Sequence, residues 1–283
     1  MIKFKLLLLI NIFIYLIYNE TNNGKNIIVS LTSYPLRIKY VHLTIKSLLN
    51  QTIKPKKIIL WLAESDFPRR NKNLPKNLLS LHDRIFKIDY YELDIKSYKK
   101  LIPTLEKYPN NIIITVDDDI IYKNNTIEKL YKNYLKYPKD IQAHRITKFI
   151  LKSGEFKIIP GGYDYYKSSS FLNKLTGVGG VLYPPKCFYK DILKKDLFMK
   201  LAPTNDDQWF WVQAILNNVK VRVIDEPNLK LKYIKHTQNV ALTKVNDKGL
   251  KLFWKDFYNL ISYYPKLKSI LIDEYNMYIK NKT

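Results

Sequence analysis

Four short strand-like runs recur through the first half of the chain, strongly apolar at residues 27–31, 58–62 and 112–116 and mixed at 85–90. Between them, apolar residues return at helical spacing, as in Ile38, Val41, Ile45, Leu48 and Leu49. A strand covered on one face alternates apolar with polar residues, whereas a near-continuous apolar run suits a strand covered on both. Strands separated by helical segments imply right-handed crossovers. The predicted fold class is therefore α/β, a mainly parallel sheet with helices on both faces. Residues 97–108 read as a helix with Ser97 as N-cap, and residues 126–134 as another. Further on, 141–151 and 219–224 read as strands, 209–216 as a helix, and 248–281 as helical and aromatic.

Charge bounds the function classes. Lys and Arg number 48 against 25 acids, a net charge of +23. Only six of these cations are arginine, and the lysines spread along the whole length rather than gathering in one block. That pattern reads as solvated lysine more than as a nucleic-acid surface, and no RRM, helix-turn-helix or zinc-finger motif is present. The single cysteine, Cys187, excludes an intrachain disulfide and a CxxC pair. At the N-terminus, Lys3 and Lys5 precede an apolar run at 6–18 that is broken by Asn11. As a helix it would reach about 20 Å, short of a hydrocarbon core of about 30 Å. Residues 1–21 are expected to be a signal anchor or signal peptide, which makes the protein membrane-associated. Residues 22–283 form the expected catalytic domain, with a helical extension from about 246.

Chemistry can sit in four places. Asp117-Asp118-Asp119 follow directly on the fourth apolar run, at the sheet edge where open α/β folds bind ligands. Adjacent carboxylates repel unless a cation offsets them, so they read as a divalent-cation site or as a solvated acidic turn. Five of the eight glycines lie at Gly161, Gly162, Gly177, Gly179 and Gly180. That cluster implies close backbone approach to a ligand, or a tightly turned strand. Asp206-Asp207 precede Trp209-Phe210-Trp211. If they open a helix, its dipole stabilises their ionised form, and they read as a general base or as a cap. The turn after the first strand, Thr32 to Arg37, carries hydroxyls, Tyr34 and an arginine that suit a nucleotide or merely a turn. His236 is a candidate third metal ligand or a plain surface residue. His144-Arg145 can contact phosphate or belong to a strand.

Six segments in this order resemble the GT-A glycosyltransferases, nearest to family-2-like bacterial and viral enzymes: VSLTSYPLR, SLLNQTIKPKKIILWL, SYKKLIPTL, IIITVDDDIIY, LTGVGGVLYPP and TNDDQWFWVQAILNN. The resemblance spans about residues 26–245 and leaves the C-terminal extension outside it. It implies that the Asp triple is a DxD motif. Asp117 and Asp119 would then ligate Mn²⁺ or Mg²⁺ on the donor diphosphate, with His236 as a late ligand. It implies that Thr32, Tyr34, Arg37, Lys100, Asp117 and Asp118 line the nucleotide pocket. Gly179 and Gly180 would admit donor sugar and acceptor, and Asp207 would be the catalytic base. The expected activity is inverting transfer of a sugar from a nucleoside-diphosphate sugar, UDP first, to a glycan or lipid-linked glycan. A nucleotidyltransferase is the rival enzyme, although such enzymes favour a glycine-rich loop after the first strand and Thr32–Arg37 contains no glycine. A basic nucleic-acid-binding protein is the rival of another class.

Overall fold

The computed structural model describes residues 24–160, 168–237 and 250–280. Among them the chain order is β1 (Gly24–Thr32), α1 (Val41–Leu49), β2 (Pro55–Ala63), α2 (Lys76–Leu79), β3 (Phe86–Tyr91), α3 (Ile102–Lys107), β4 (Ile112–Thr115), β5 (Ile120–Ile121) and α4 (Thr126–Lys136). The second half continues with β6 (Ile141–Ala143), β7 (Ile146–Lys152), β8 (Glu155–Pro160), β9 (Asn173–Leu175), β10 (Val181–Tyr183), α5 (Lys195–Leu201), α6 (Asp206–Leu216), β11 (Val221–Val223), β12 (Lys232–Tyr233), α7 (Leu250–Tyr263) and α8 (Pro265–Lys280).

The main sheet has seven strands in the order β11-β6-β10-β4-β1-β2-β3. It is mixed: β10 runs antiparallel to β4 and β6, while the other neighbouring pairs are parallel. Central β1 shows why its sequence is almost continuously apolar. Ile27, Val29 and Leu31 face one core, with α1, α2 and α4. Ile28 faces the other side, beside Ile59 and Trp61. There Ser30 bonds Thr104 of α3 at 2.6 Å, and the Trp61 indole donates to the same hydroxyl at 2.7 Å. The second large core lies on this face of β4 and β10, under α3, α6, α7 and α8, and contains Trp209, Trp211, Phe149 and Phe257.

Two expected elements are divided. Residues 97–108 do not form one helix: a 3₁₀ turn, Lys96–Lys100, precedes α3, and Ser97 caps neither. Pro103 lacks an N–H, so an α-helix cannot run through it from the preceding turn. Residues 141–151 give two strands in different sheets. β6 joins the main sheet, and β7 pairs antiparallel with β8 and β9 in a three-stranded one.

Membrane attachment is corrected. No helix among the described residues is long and apolar enough to cross a membrane. Residues 1–21, to which the sequence assigns the anchor, lie outside the described residues.

Candidate active site

The carboxyl ends of β1 and β4 and the entry to β10 lie side by side, because Ser30 and Val181 both register with Thr115. This edge gathers most of the predicted residues. Arg37 reaches across from the β1 exit, with one terminal nitrogen 2.8 Å from Asp118 and the other 3.2 Å from Asp119. Its guanidinium also lies 5.8 Å from the Tyr34 ring centroid and donates to the Thr237 carbonyl at 3.3 Å. Ser33 donates to the other Asp118 oxygen at 2.6 Å, and Thr44 of α1 to the Asp118 carbonyl at 2.9 Å. The Asp119 carbonyl accepts from the Ile234 amide at 2.8 Å. Asp118 and Asp119 are thus drawn back into the fold.

Asp117 faces the other way, toward Lys100. The Lys100 ammonium is buried among three acids and sits 2.8 Å from Asp206, 3.4 Å from Asp117 and 3.5 Å from Asp207. Asp206 and Asp207 form the first turn of α6, which begins three residues before the helix read from the sequence at 209–216. The Gly177 amide donates to Asp207 at 2.9 Å. Tyr122 fixes the floor: its hydroxyl accepts from the Asp117 amide at 2.9 Å and donates to the Val178 carbonyl at 3.1 Å. Asp117 and Asp207 keep side-chain exposures of 30% and 22%, against 7% for Lys100. These two acids are therefore the more solvent-accessible partners of Lys100.

Their protonation differs. Burial, reinforced by repulsion from Asp119, Asp207 and Asp206, pushes the Asp117 carboxyl up to about 6 against the pull of Lys100. Burial also pushes Asp207 up, but Lys100, Lys174 and the Gly177 N–H outweigh it and hold the carboxyl below the usual range. Lys100 stays protonated despite burial because Asp206, Asp117 and Asp207 surround it. Near neutrality the site therefore presents an ionised Asp207, together with an Asp117 that takes up its proton as pH falls through about 6.

Asp117, Asp119 and His236 are not gathered into one cluster. Among the described residues no group of three or more His, Cys, Asp or Glu side chains is placed to hold a metal ion. The donor set explains why: Arg37 occupies Asp118 and Asp119, Lys100 occupies Asp117, and the His236 side chain is exposed on a positive-φ turn. The DxD reading of the triple and its manganese site thus find no support in this arrangement. Residue types alone could not reveal that the offsetting cations come from the chain itself.

Other expected contacts have structural partners. The Thr32 hydroxyl donates to the Trp61 carbonyl at 2.8 Å, within the sheet. A Cβ on Gly179 would lie 3.0 Å from the His144 Cβ, and Gly180 adopts φ +93°. Both glycines thus answer to the backbone at the β6–β7 bend and the entry to β10. His144 is buried rather than poised for phosphate. Gly161 and Gly162 lie outside the described residues. Sequence reasoning missed Lys174 and Tyr122; the Tyr122 hydroxyl links the nearby Asp117 amide to the distant Val178 carbonyl.

No known protein family matches the sequence, and no curated protein does. Solved structures match in fold. The structure of 4-diphosphocytidyl-2C-methyl-D-erythritol synthase from Anaerococcus prevotii superposes with a TM-score of 0.51 at 16% identity, covering 83% of this chain and 99% of that one. The fold is GT-A-like. It is the α/β arrangement with a mixed sheet found among nucleotidyl- and glycosyltransferase structures, and a specific family-2 membership is not supported. Residues 1–349 of S. aureus TarS match with a TM-score of 0.47 at 17% identity, over 71% of this chain and 58% of that one. Its complex with UDP-GlcNAc matches with 0.42 at 18% identity.

Proposed function

We propose that this protein is a glycosyltransferase that moves a sugar from a nucleoside-diphosphate sugar, UDP first, to a hydroxyl of a glycan acceptor with inversion. The observation that carries the reading is the environment of Asp207. It is an ionised, part-exposed carboxylate at the carboxyl edge of the sheet, oriented by the Gly177 amide at 2.9 Å and flanked by Lys100 at 3.5 Å. In this reading Asp207 removes the acceptor proton while the acceptor oxygen bonds the anomeric carbon. The bond from that carbon to the donor phosphate breaks, and the nucleoside diphosphate leaves. Lys100 and Arg37 lie at that edge among its acids, and in this reading they offset the charge developing on the leaving group. No step is routed through a divalent ion, because the acids of the triple already face these cations.

The test is release of free nucleotide from UDP-, GDP- and CMP-sugars with a panel of glycan acceptors, in EDTA, Mn²⁺ or Mg²⁺. Turnover with one donor, reduced about 10²- to 10⁴-fold in Asp207→Asn, is the expected result. Unreduced turnover in that variant removes Asp207 as the base. A product that keeps the donor's anomeric configuration removes the single displacement. A second reading, nucleotidyl transfer, draws on the fold likeness to a synthase named for a diphosphocytidyl compound. Release of pyrophosphate from CTP or UTP, with no sugar transfer, would favour it.

A further inference from the structure

We infer that Arg145, with Thr176 beside it, receives the diphosphate of the donor, so that the glycine turn between β9 and β10 joins an anion-binding arginine to the base. This inference rests on the reading of the site as one that takes a nucleoside diphosphate. The three residues of the turn Gly177–Gly179 each touch a different part of the site. The Gly177 amide donates to Asp207 at 2.9 Å. The Val178 carbonyl accepts from the Tyr122 hydroxyl, which in turn accepts from the Asp117 amide. Gly179 lies against the arginine: a Cβ there would be 3.1 Å from the Arg145 Cγ and 3.4 Å from its Cδ. The bare glycine thus lets the arginine stem lie on the turn that orients the base.

The backbone sets Arg145 opposite Thr176. The Thr176 amide donates to the Arg145 carbonyl at 3.1 Å and continues the β7–β9 ladder, in which Ile146 faces Leu175. Ile146 and Leu175 are buried, so their neighbours Arg145 and Thr176 take the other face of the strand pair, and both are part-exposed. Charge then distinguishes Arg145 from the other cations of this edge. Five carboxyls, those of Asp117, Asp118, Asp119, Asp206 and Asp207, stand there against Arg37 and Lys100, which are already paired with them. A nucleoside diphosphate brings further negative charge to this edge and needs a cation not yet matched. Lys174 is buried and donates to the Leu175 carbonyl at 3.1 Å. Arg145 makes no hydrogen bond or ion pair among the described residues, and the buried Thr176 hydroxyl has no partner among them either. A planar guanidinium matches two phosphate oxygens at once, and the hydroxyl beside it supplies a further donor.

The test measures the Kd of UDP and of inorganic pyrophosphate for the full chain by titration calorimetry, in EDTA and in Mg²⁺. Arg145→Gln keeps a stem on Gly179 and removes the charge, so both ligands should bind about 10- to 100-fold more weakly, with Arg145→Lys in between. Thr176→Val should weaken both several-fold; no change there removes Thr176 from the site. Lys152→Gln takes an exposed cation from the far end of β7 and should leave both within about twofold, which separates contact from the general charge of the chain. A wild type that binds neither ligand, an Arg145→Gln variant that binds both as the wild type does, or an equal loss in Lys152→Gln overturns the proposal. Should the Arg145 variants fail to fold, the wild type alone decides: UDP and pyrophosphate should shield Arg145 from phenylglyoxal, read by mass spectrometry of its peptide, and unshielded modification overturns the proposal. These measurements need neither acceptor nor turnover. Binding that depends on Arg145 without any sugar transfer would sink the proposed reaction and leave the anion site standing. Transfer that depends on Asp207, with unaltered binding in Arg145→Gln, would do the opposite.

Discussion

His144 illustrates how much one residue's surroundings decide. Its Nδ1 accepts from the Asn228 amide at 2.9 Å, so the ring must be the neutral Nε2–H tautomer, which donates to the Thr126 carbonyl at 3.2 Å. Burial pushes its pKa down to about 4, from an ordinary value of about 6.5. A depressed folded-state value means stability that is present above about 6.5 and lost as pH falls toward 4. The loss should reach about 3 kcal/mol. Urea unfolding across that window should show it, and His144→Gln should flatten the wild-type difference. The glycines make a paired prediction. A Cβ on Gly177 would lie 2.8 Å from the Lys100 ammonium and 2.9 Å from Asp207, both ends of movable side chains. Gly177→Ala should therefore leave stability within about 1 kcal/mol but cut turnover on the order of 10²-fold, by displacing the acid. Gly180→Ala should do the reverse, costing about 1–2 kcal/mol through its φ of +93° with turnover little changed. Thermal unfolding and kinetics on both variants check the contrast. The acids were legible at this scale because their chemistry is local to the triple and to the Asp pair. Their partners were not, since Arg37 and Lys100 meet them only through the fold.

Elements were read well where burial is symmetric. The runs of β1, β2 and β4 announce themselves because both faces are covered, and α6 does so through a first turn of acids ahead of core tryptophans. Division of an element was harder to read. The segment at 141–151, read as a single strand, serves two sheets because the chain bends at His144-Arg145, and residue type does not record direction. Helix α6 is the keystone of the second core. The Trp211 ring stacks on Phe149 at 4.6 Å, and its N–H donates to the Phe171 carbonyl at 2.9 Å. Trp211→Ala should cost about 3–5 kcal/mol in denaturant unfolding. A cost under about 1 kcal/mol would mean that α7 and α8 collapse into the space and that the packing argument for α6 is wrong.

For the molecule as a whole, a net charge of +23 is an expansive force on a compact body. Raising ionic strength from about 0.01 to 0.15 M shortens the screening length from about 30 to about 8 Å. The melting temperature should rise over that range and then level. A fall instead would mean that ion pairs, not self-repulsion, dominate. The position of β10 has a consequence of another kind. It is inserted between β4 and β6, against the direction of both, and each is made before it. On a ribosome adding about 5–20 residues per second, the apolar edge of β4 stays unpaired until Val181 has emerged. In that interval β4 and β6, which point the same way, can join each other directly and close the place meant for β10. Such an edge also invites neighbouring nascent chains. The yield of this protein in a cell should therefore follow the pace of translation and the supply of chaperones more closely than it follows equilibrium stability.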